Sequence, residues 1–347
     1  MHIRVYIPLL FAVSIASAVP AFAQAPAVTA VDNGFSFTSQ LSPGVLASVF
    51  GSNLSGGSLT VTLNGLPCPV TFSNANQINI QVPWEAVPGP GHVVVTHDGL
   101  HSTPFAVTIS KYSPAISSVN GMGSGEGIFY SGANLITAAH PANGGDVLVT
   151  YAVGLGATTP SIGTGQITPN PPPYYDTLIT PSITAGKKAA TIDFSGLAPA
   201  VLATDQINFT LAPNTPVGTA QSVVLKAGSV SSSPVTIPIG CLDVTTSVSV
   251  ALGPLTNPSA GKYTQKVTIQ NTSGTRLQTQ GSLTLTALTP SAQLTNGGGA
   301  ACPSSDGSPY KSFTFTGSGT AQSATVTVNF TDTVTGNISY GQRVLAK

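Results

Sequence analysis

The chain has 347 residues with eleven basic and eleven acidic side chains, so only 6% of it is charged, against roughly 25% in an average globular protein. Without a basic stripe it offers no electrostatic footprint for nucleic acid and no polybasic patch for a membrane surface. Its 37 Gly and 28 Pro are interleaved with runs rich in Val, Ile and Thr, the pattern of many short strands and turns rather than of disorder.

Residues 1–23 read as a cleaved signal peptide. Arg4 starts it, Ile7 to Ala18 form a short apolar run, and Ala21-Phe22-Ala23 precedes Gln24 as an A-x-A cleavage signal. No later apolar run approaches the length of about 18 residues that a spanning helix needs. No Cys follows the apolar run, so a lipid anchor is not expected. The remaining 324 residues are enough for two or three domains, and the expected destination is periplasm, cell surface or medium.

Segment one covers residues 24–112. Pro43-Gly44 opens a strand that runs to Phe50 and leaves through Gly51-Ser52-Asn53-Leu54. Leu59 to Leu63, Asn64-Gly65 and Leu66 to Phe72 then form a hairpin, since Asn-Gly suits a two-residue turn with positive φ. That register pairs Leu63 with Leu66, Val61 with Cys68 and Leu59 with Val70. It places six apolar residues on one face and Thr60, Thr62, Pro67 and Pro69 on the other. The prolines make Leu66–Phe72 an edge strand. The next strand, Gln77-Ile78-Asn79-Ile80-Gln81-Val82, ends in Pro83-Trp84-Glu85. A second hairpin follows around Asp98-Gly99.

Segment two, residues 113–240, repeats the first. Gln206-Ile207-Asn208-Phe209 returns 129 residues after Gln77, and the same offset carries Gly99 to Gly228 and Ser102 to Ser231. Gly145 to Tyr151 stands where Gly44 to Phe50 stood. Residues 157–181 are an insertion containing Pro171-Pro172-Pro173-Tyr174-Tyr175, read as an extended surface loop. Segment three, residues 241–347, has six alternating runs from Val244 to Leu345, punctuated by Asn271-Thr272-Ser273-Gly274 and Asn296-Gly297-Gly298-Gly299. The fold class is all-β: three tandem Ig-like antiparallel β-sandwiches.

Segment one resembles the IPT/TIG branch of Ig-like domains through Pro43-Gly44, Phe50-Gly51-Ser52-Asn53-Leu54 and Asn64-Gly65. Gln77-Ile78-Asn79, Val82-Pro83-Trp84-Glu85, Gly154-Leu155-Gly156 and Gly196-Leu197-Ala198-Pro199 extend the likeness. With them, segments one and two resemble an uncharacterised domain family at the C-termini of secreted acidobacterial proteins. Segment three resembles an Ig-like tail module through Tyr263 to Gly274 and Ser308-Pro309-Tyr310. The resemblance implies extracellular β-modules without an assigned activity, and these turn and strand-edge motifs say little about a ligand.

Chemistry-bearing constellations are sparse. The register around Asp98-Gly99 points His97 and His101 opposite ways, and His92 lies roughly 13 Å from Thr96 at about 3.3 Å per residue. No zinc site is therefore expected, and the histidines read as surface residues. The acidic residues are scattered, and G-x-S-x-G, H-E-x-x-H and P-loop motifs are absent from the sequence. No catalytic residue, metal or cofactor is assigned. Cys68 falls on an apolar hairpin face as a free thiol. Cys241 and Cys302 bracket most of segment three and are a candidate disulfide in an exported protein.

The candidate contact residues are Trp84, Tyr174 and Tyr175, which as exposed aromatics would stack on sugars or anchor a partner. The plainer readings make Trp84 a plug over the open end of its sandwich, and fold the two tyrosines back on their own domain or on segment three. The functional expectation is a non-enzymatic exported protein for adhesion, matrix structure or partner binding. Its partner would be a cell-envelope or extracellular protein or polysaccharide. The alternatives are a carbohydrate-binding protein and a secreted hydrolase with an unrecognised site, the latter requiring two carboxylates in one pocket.

Overall fold

The computed structural model describes residues 24–170, 173–333 and 337–347. The expected signal peptide, and Pro171-Pro172 of the insertion, lie outside them. Among the described residues there is no α-helix, only one 3-10 turn at Thr245–Ser247, and no helix long and apolar enough to cross a membrane. The fold is all-β, with six sheets around three main apolar cores.

In module one, Ala27–Asn33, Leu46–Ser52, Gln77–Gln81 and Val70–Ser73 form one sheet in that spatial order. Gln40–Leu41, Phe105–Ile109, Gly89–His97, Leu59–Leu63 and Leu66–Cys68 form the facing one. Pairing is antiparallel except between Phe105–Ile109 and Gln40–Leu41. Period-two alternation turns Val49, Ile78 and Ile80 of one sheet towards Val61, Val93 and Val95 of the other, all buried. Each such side chain contributes about 1.5–3 kcal/mol.

The first hairpin turns at Asn64 and Gly65, both at positive φ, with Leu63 opposite Leu66 and Val61 opposite Cys68. The register derived from the sequence stops there. Val70 pairs with Ile80 of the other sheet rather than with Leu59, whose partner is His97. Pro69 has no N–H for the ladder, and the chain crosses between sheets at that point. Val70 is consequently exposed, not part of the apolar face expected for it, and Phe72 beyond it is exposed as well.

The repeated strand occupies the same place in both copies. Gln77–Gln81 pairs with Leu46–Ser52, and Asp205–Thr210 pairs with Val147–Val153. Within each, the Gln Nε2 donates to the Asn two residues on, Gln77 to Asn79 at 2.8 Å and Gln206 to Asn208 at 2.9 Å. That bond gives the Gln-x-Asn spacing its structural use. Downstream the correspondence shifts by one residue, so the partner of Ser102 is Ser232, not Ser231. Ser102 Oγ accepts from the Val95 N–H at 3.0 Å, and Ser232 Oγ from the Leu225 N–H at 3.1 Å.

Module three pairs Leu242–Asp243, Gly341–Ala346, Gln280–Thr286 and Tyr310–Thr314 in one sheet. Val248–Leu252, Lys262–Asn271, Ser323–Asp332 and Ala292–Leu294 form the other. Cys241 and Cys302 are joined by a disulfide across 61 positions, worth roughly 4 kcal/mol in the chain-entropy picture.

One buried group in module two opposes folding at neutral pH. Asp205 stands where copy one has Asn76, and only one carboxylate oxygen is served, by the Leu155 N–H at 3.2 Å. Burial pushes its pKa up to about 7, whereas an unfolded Asp titrates near ~4. The native state thus holds a proton that the unfolded state releases, so stability falls as pH rises from about 4 through about 7 and then levels. Asp205→Asn is expected to stabilise the protein by about 2–4 kcal/mol at pH 8 and to make little difference at pH 4. Denaturant titrations of both proteins at the two pH values check this; equal effects at both would refute it.

Candidate functional site

The most elaborated chemistry lies at the two joints between successive modules, and both joints use the same repeated position. In copy one the Gly44 N–H donates to the Val82 carbonyl at 3.0 Å, and the Val82 N–H returns to Val45 at 2.9 Å. In copy two the Gly145 N–H donates to Leu211 at 3.1 Å, and the Leu211 N–H returns to Asp146 at 2.9 Å. Both glycines have φ +78, where a Cβ is strained. What lies over each glycine differs between the copies.

Over Gly44 lies Trp84. A Cβ at Gly44 would sit 2.1–2.3 Å from three adjacent atoms of the six-membered ring, a pattern that places the ring face, not its edge, on the glycine. Around it, the insertion of module two grips module one. The Trp84 N–H donates to Thr164 Oγ1 at 2.8 Å, Thr164 donates to Glu85 at 2.6 Å, and the Gly165 N–H donates to the buried Gln81 side chain at 2.7 Å. The Thr164 hydroxyl holds the exposed Glu85 carboxyl below its ordinary range. Deeper in the joint, Asn33 Nδ2 donates to the Ser113 carbonyl at 2.9 Å, and Ser42 and Ser113 hydroxyls share a 2.8 Å bond, all three residues being buried. Ala115 and Val153 complete the core of module one from beyond residue 112. They are its plug; Trp84 sits beside it, half-buried, in the seam.

Beside Trp84 the seam opens into a groove of about 330 Å³, lined by Pro43, Trp84, Lys111, Tyr112, Leu155 and Leu178 among others. The Lys111 ammonium stands 5.4 Å from the centre of the Tyr112 ring.

Over Gly145 lies an ion-pair network. A Cβ there would meet Asp243 Oδ2 at 2.7 Å and Arg343 Nη2 at 3.3 Å. Arg343 Nη1 donates to Asp146 Oδ1 at 2.5 Å, Nε to Asp243 Oδ2 at 2.9 Å, and Nη2 to the Gly144 carbonyl. Asp146 also accepts from the Asn143 N–H at 2.7 Å and from Ser305 Oγ. Burial pushes the Asp146 carboxyl above its ordinary range, against the downward pull of Arg343, Ser305 and Asn143. The loop closed by Cys302 touches module two directly, through Asn143 Nδ2 donating to the Pro303 carbonyl at 3.1 Å.

The aromatic residues singled out from the sequence are not brought together. Neither tyrosine lines the groove that Trp84 lines. Tyr174 is 59% exposed and meets Phe194 of its own module edge-on at 5.9 Å. Tyr175 is half-buried and its carbonyl accepts from Leu197. The insertion itself is not a free surface loop: Thr164 and Gly165 bind module one. Nor are all the histidines surface residues. His92, His101 and His140 are exposed, but His97 is buried, because its alternation follows Val93 and Val95 inward. No cluster of three metal-ligating side chains occurs among the described residues. Burial pushes the Cys68 thiol up to about 12, so it is not a nucleophile at neutral pH. Asp176 and Asp193 do share a shallow groove of about 250 Å³, and Asp193 accepts from Thr210 Oγ1 at 2.8 Å.

Asp146, Asp243 and Arg343 were not singled out from the sequence. The signal available was a charged residue, Asp146, at a position whose repeat mate is the apolar Val45.

Residues 33–109 match the IPT/TIG domain, and no curated protein matches the chain. Among solved structures it is similar to the extracellular region of plexin A4, domains 1 to 10, at 8% identity over 87% of this chain and 21% of that one, with a TM-score of 0.25. It is similar to the gamma-CGTase of Alkalophilic bacillus clarkii at 14% identity over 62% of this chain and 26% of that one, with a TM-score of 0.23. It is also similar to the N-terminal eight Ig domains of Down Syndrome Cell Adhesion Molecule, at 10% identity over 91% of this chain and 36% of that one, with a TM-score of 0.18. The chain thus spans 21–36% of the length of these proteins, and likenesses of this strength carry no functional weight. The chain is a modular β-sandwich protein whose residues 33–109 are similar to an IPT/TIG domain.

Proposed function

We propose that this is a non-enzymatic exported protein whose three sandwiches are fixed to one another, and that it serves adhesion, matrix structure or partner binding outside the cytoplasm. The observation that carries this reading is that both joints are built from buried, directional contacts instead of flexible linkers. A protein that must hold a surface at a set distance and orientation needs such joints; inter-domain motion is otherwise the default. The Cys241–Cys302 bond supports export, because disulfides persist in oxidising compartments. Its partner is an envelope or extracellular protein or polysaccharide.

Two measurements test this. Arg343→Met leaves Asp146 buried without its counter-ion, which costs about 3 kcal/mol in comparable pairs. X-ray scattering of the wild type should fit one fixed arrangement of modules, and the variant should show a larger radius of gyration and a flexible-chain profile. Asp146→Asn added to Arg343→Met should recover part of the stability. Wild-type scattering that already requires several module arrangements would sink the reading. Separately, the purified protein should retain a component from its own cell-envelope or exopolysaccharide fraction.

A second reading, a carbohydrate-binding protein, draws on exposed Tyr174. It expects glycan-array binding that disappears in Tyr174→Ala and Tyr175→Ala. The hydrolase reading rests on Asp176 and Asp193, and expects turnover of a polysaccharide that Asp176→Asn or Asp193→Asn abolishes.

A further inference from the structure

We propose that the groove between modules one and two is a binding site for a small apolar organic anion, a hydrocarbon or aromatic body carrying one carboxylate. The groove, about 330 Å³, lies at the lower end of the sizes that hold small molecules, which are mostly apolar with a few placed polar groups. Its walls fit that description. Trp84 is held flat by Gly44, so its position is set before any ligand arrives. Tyr112, Pro43 and Leu155 continue the apolar surface, and Leu178, at 63% exposure, is a large aliphatic side chain left uncovered at the rim.

The charge at the groove has one sign. Lys111 lines it, no carboxylate does, and the Lys111 ammonium forms no ion pair with any described residue, resting only near the Tyr112 ring. Glu85, the nearest acid in sequence to Trp84, is turned to Thr164 and lines a different cavity. In a chain with only eleven basic residues, an unpaired cation against an apolar groove complements an anion with a hydrocarbon body. A sugar suits the groove less well, because it would need several side-chain polar groups for its hydroxyls and Lys111 is the one charged side chain in the lining.

Trp84 is the only tryptophan in the chain, so its emission reports on this groove. The probe is 4-phenylbutyrate, which does not absorb at the tryptophan excitation edge, with the neutral 4-phenylbutyramide as its control. The acid is expected to change Trp84 emission saturably, and the amide to bind about 5-fold more weakly, the equivalent of one exposed ion pair. Lys111→Gln should remove the difference between acid and amide without altering the unfolding midpoint. Leu178→Asp, at an exposed position that leaves the fold intact, should weaken both. The proposal is overturned if no saturable change appears up to about 10 mM, a concentration at which even millimolar affinity would show. It is equally overturned if acid and amide bind alike, or if Lys111→Gln leaves their ratio unchanged.

Discussion

Asp146 is buried just before the strand Val147–Val153 of module two, and Arg343, on the strand Gly341–Ala346 of module three, is the cation that makes that burial tolerable. An isolated buried carboxylate would cost several kcal/mol or give up its charge. Here one guanidinium bonds Asp146, Asp243 and the Gly144 carbonyl together. Because the carboxylates belong to different modules, the condition is met only when modules two and three are docked. Pair geometry of this kind adds little net stability compared with an apolar contact; what it adds is a fixed register. The Cys241–Cys302 bond works in the same direction, since the loop it anchors is the one whose Pro303 carbonyl and Ser305 hydroxyl reach module two.

The joint between modules one and two solves the same geometric problem without an ion pair among the described residues. Its buried polar groups, Asn33, Ser42, Ser113 and Gln81, are neutral and are largely served by backbone groups or by each other. Neutral hydrogen bonds contribute about 1 kcal/mol each when satisfied and are insensitive to ionic strength, whereas exposed charges are screened within about 10 Å at 0.1 M salt. A chain with so few charges can thus afford one ionic joint and builds the other from amides, hydroxyls, one aromatic ring and the single exposed carboxylate of Glu85.

Much of the fold was legible in the sequence because it depends on local periodicity and turn chemistry. Asn64-Gly65 gave its hairpin and register, and the Gln-Ile-Asn repeat located the matching strand in both copies. The reading failed where a non-local choice decided the outcome. Pro69 breaks a continuous apolar alternation and sends Val70 to the opposite sheet, a crossover that period-two patterning cannot distinguish from a longer edge strand. The one-residue shift between Ser102 and Ser232 was hidden because Ser231 also supplied a serine. At the joints, the glycine correspondence was visible in the sequence, but what covers each glycine was not. Trp84 is near Gly44 in space through the repeat strand, and Arg343 comes from 198 positions beyond Gly145.

The difference between the two copies of the repeat therefore follows from what each must face. The strand end at Gln81 to Glu85 and the strand end at Thr210 to Asn214 both meet the next module: Trp84 and Gln81 bind Thr164 and Gly165, and the Pro213 carbonyl accepts from Asp243. Copy one fills its glycine platform with an indole ring whose Nε1–H is buried without a partner, and the seam beside it stays open as a groove. Copy two fills the same platform with a guanidinium whose bonding directions are largely consumed by Asp146, Asp243 and Gly144. A joint of the first kind, with an apolar groove beside it, can accept a ligand by covering exposed hydrocarbon. An ionic joint of the second kind would have to break buried charge pairs to do so. One repeated position thus yields an open seam and a closed one, set by whether an indole or a guanidinium rests on the glycine.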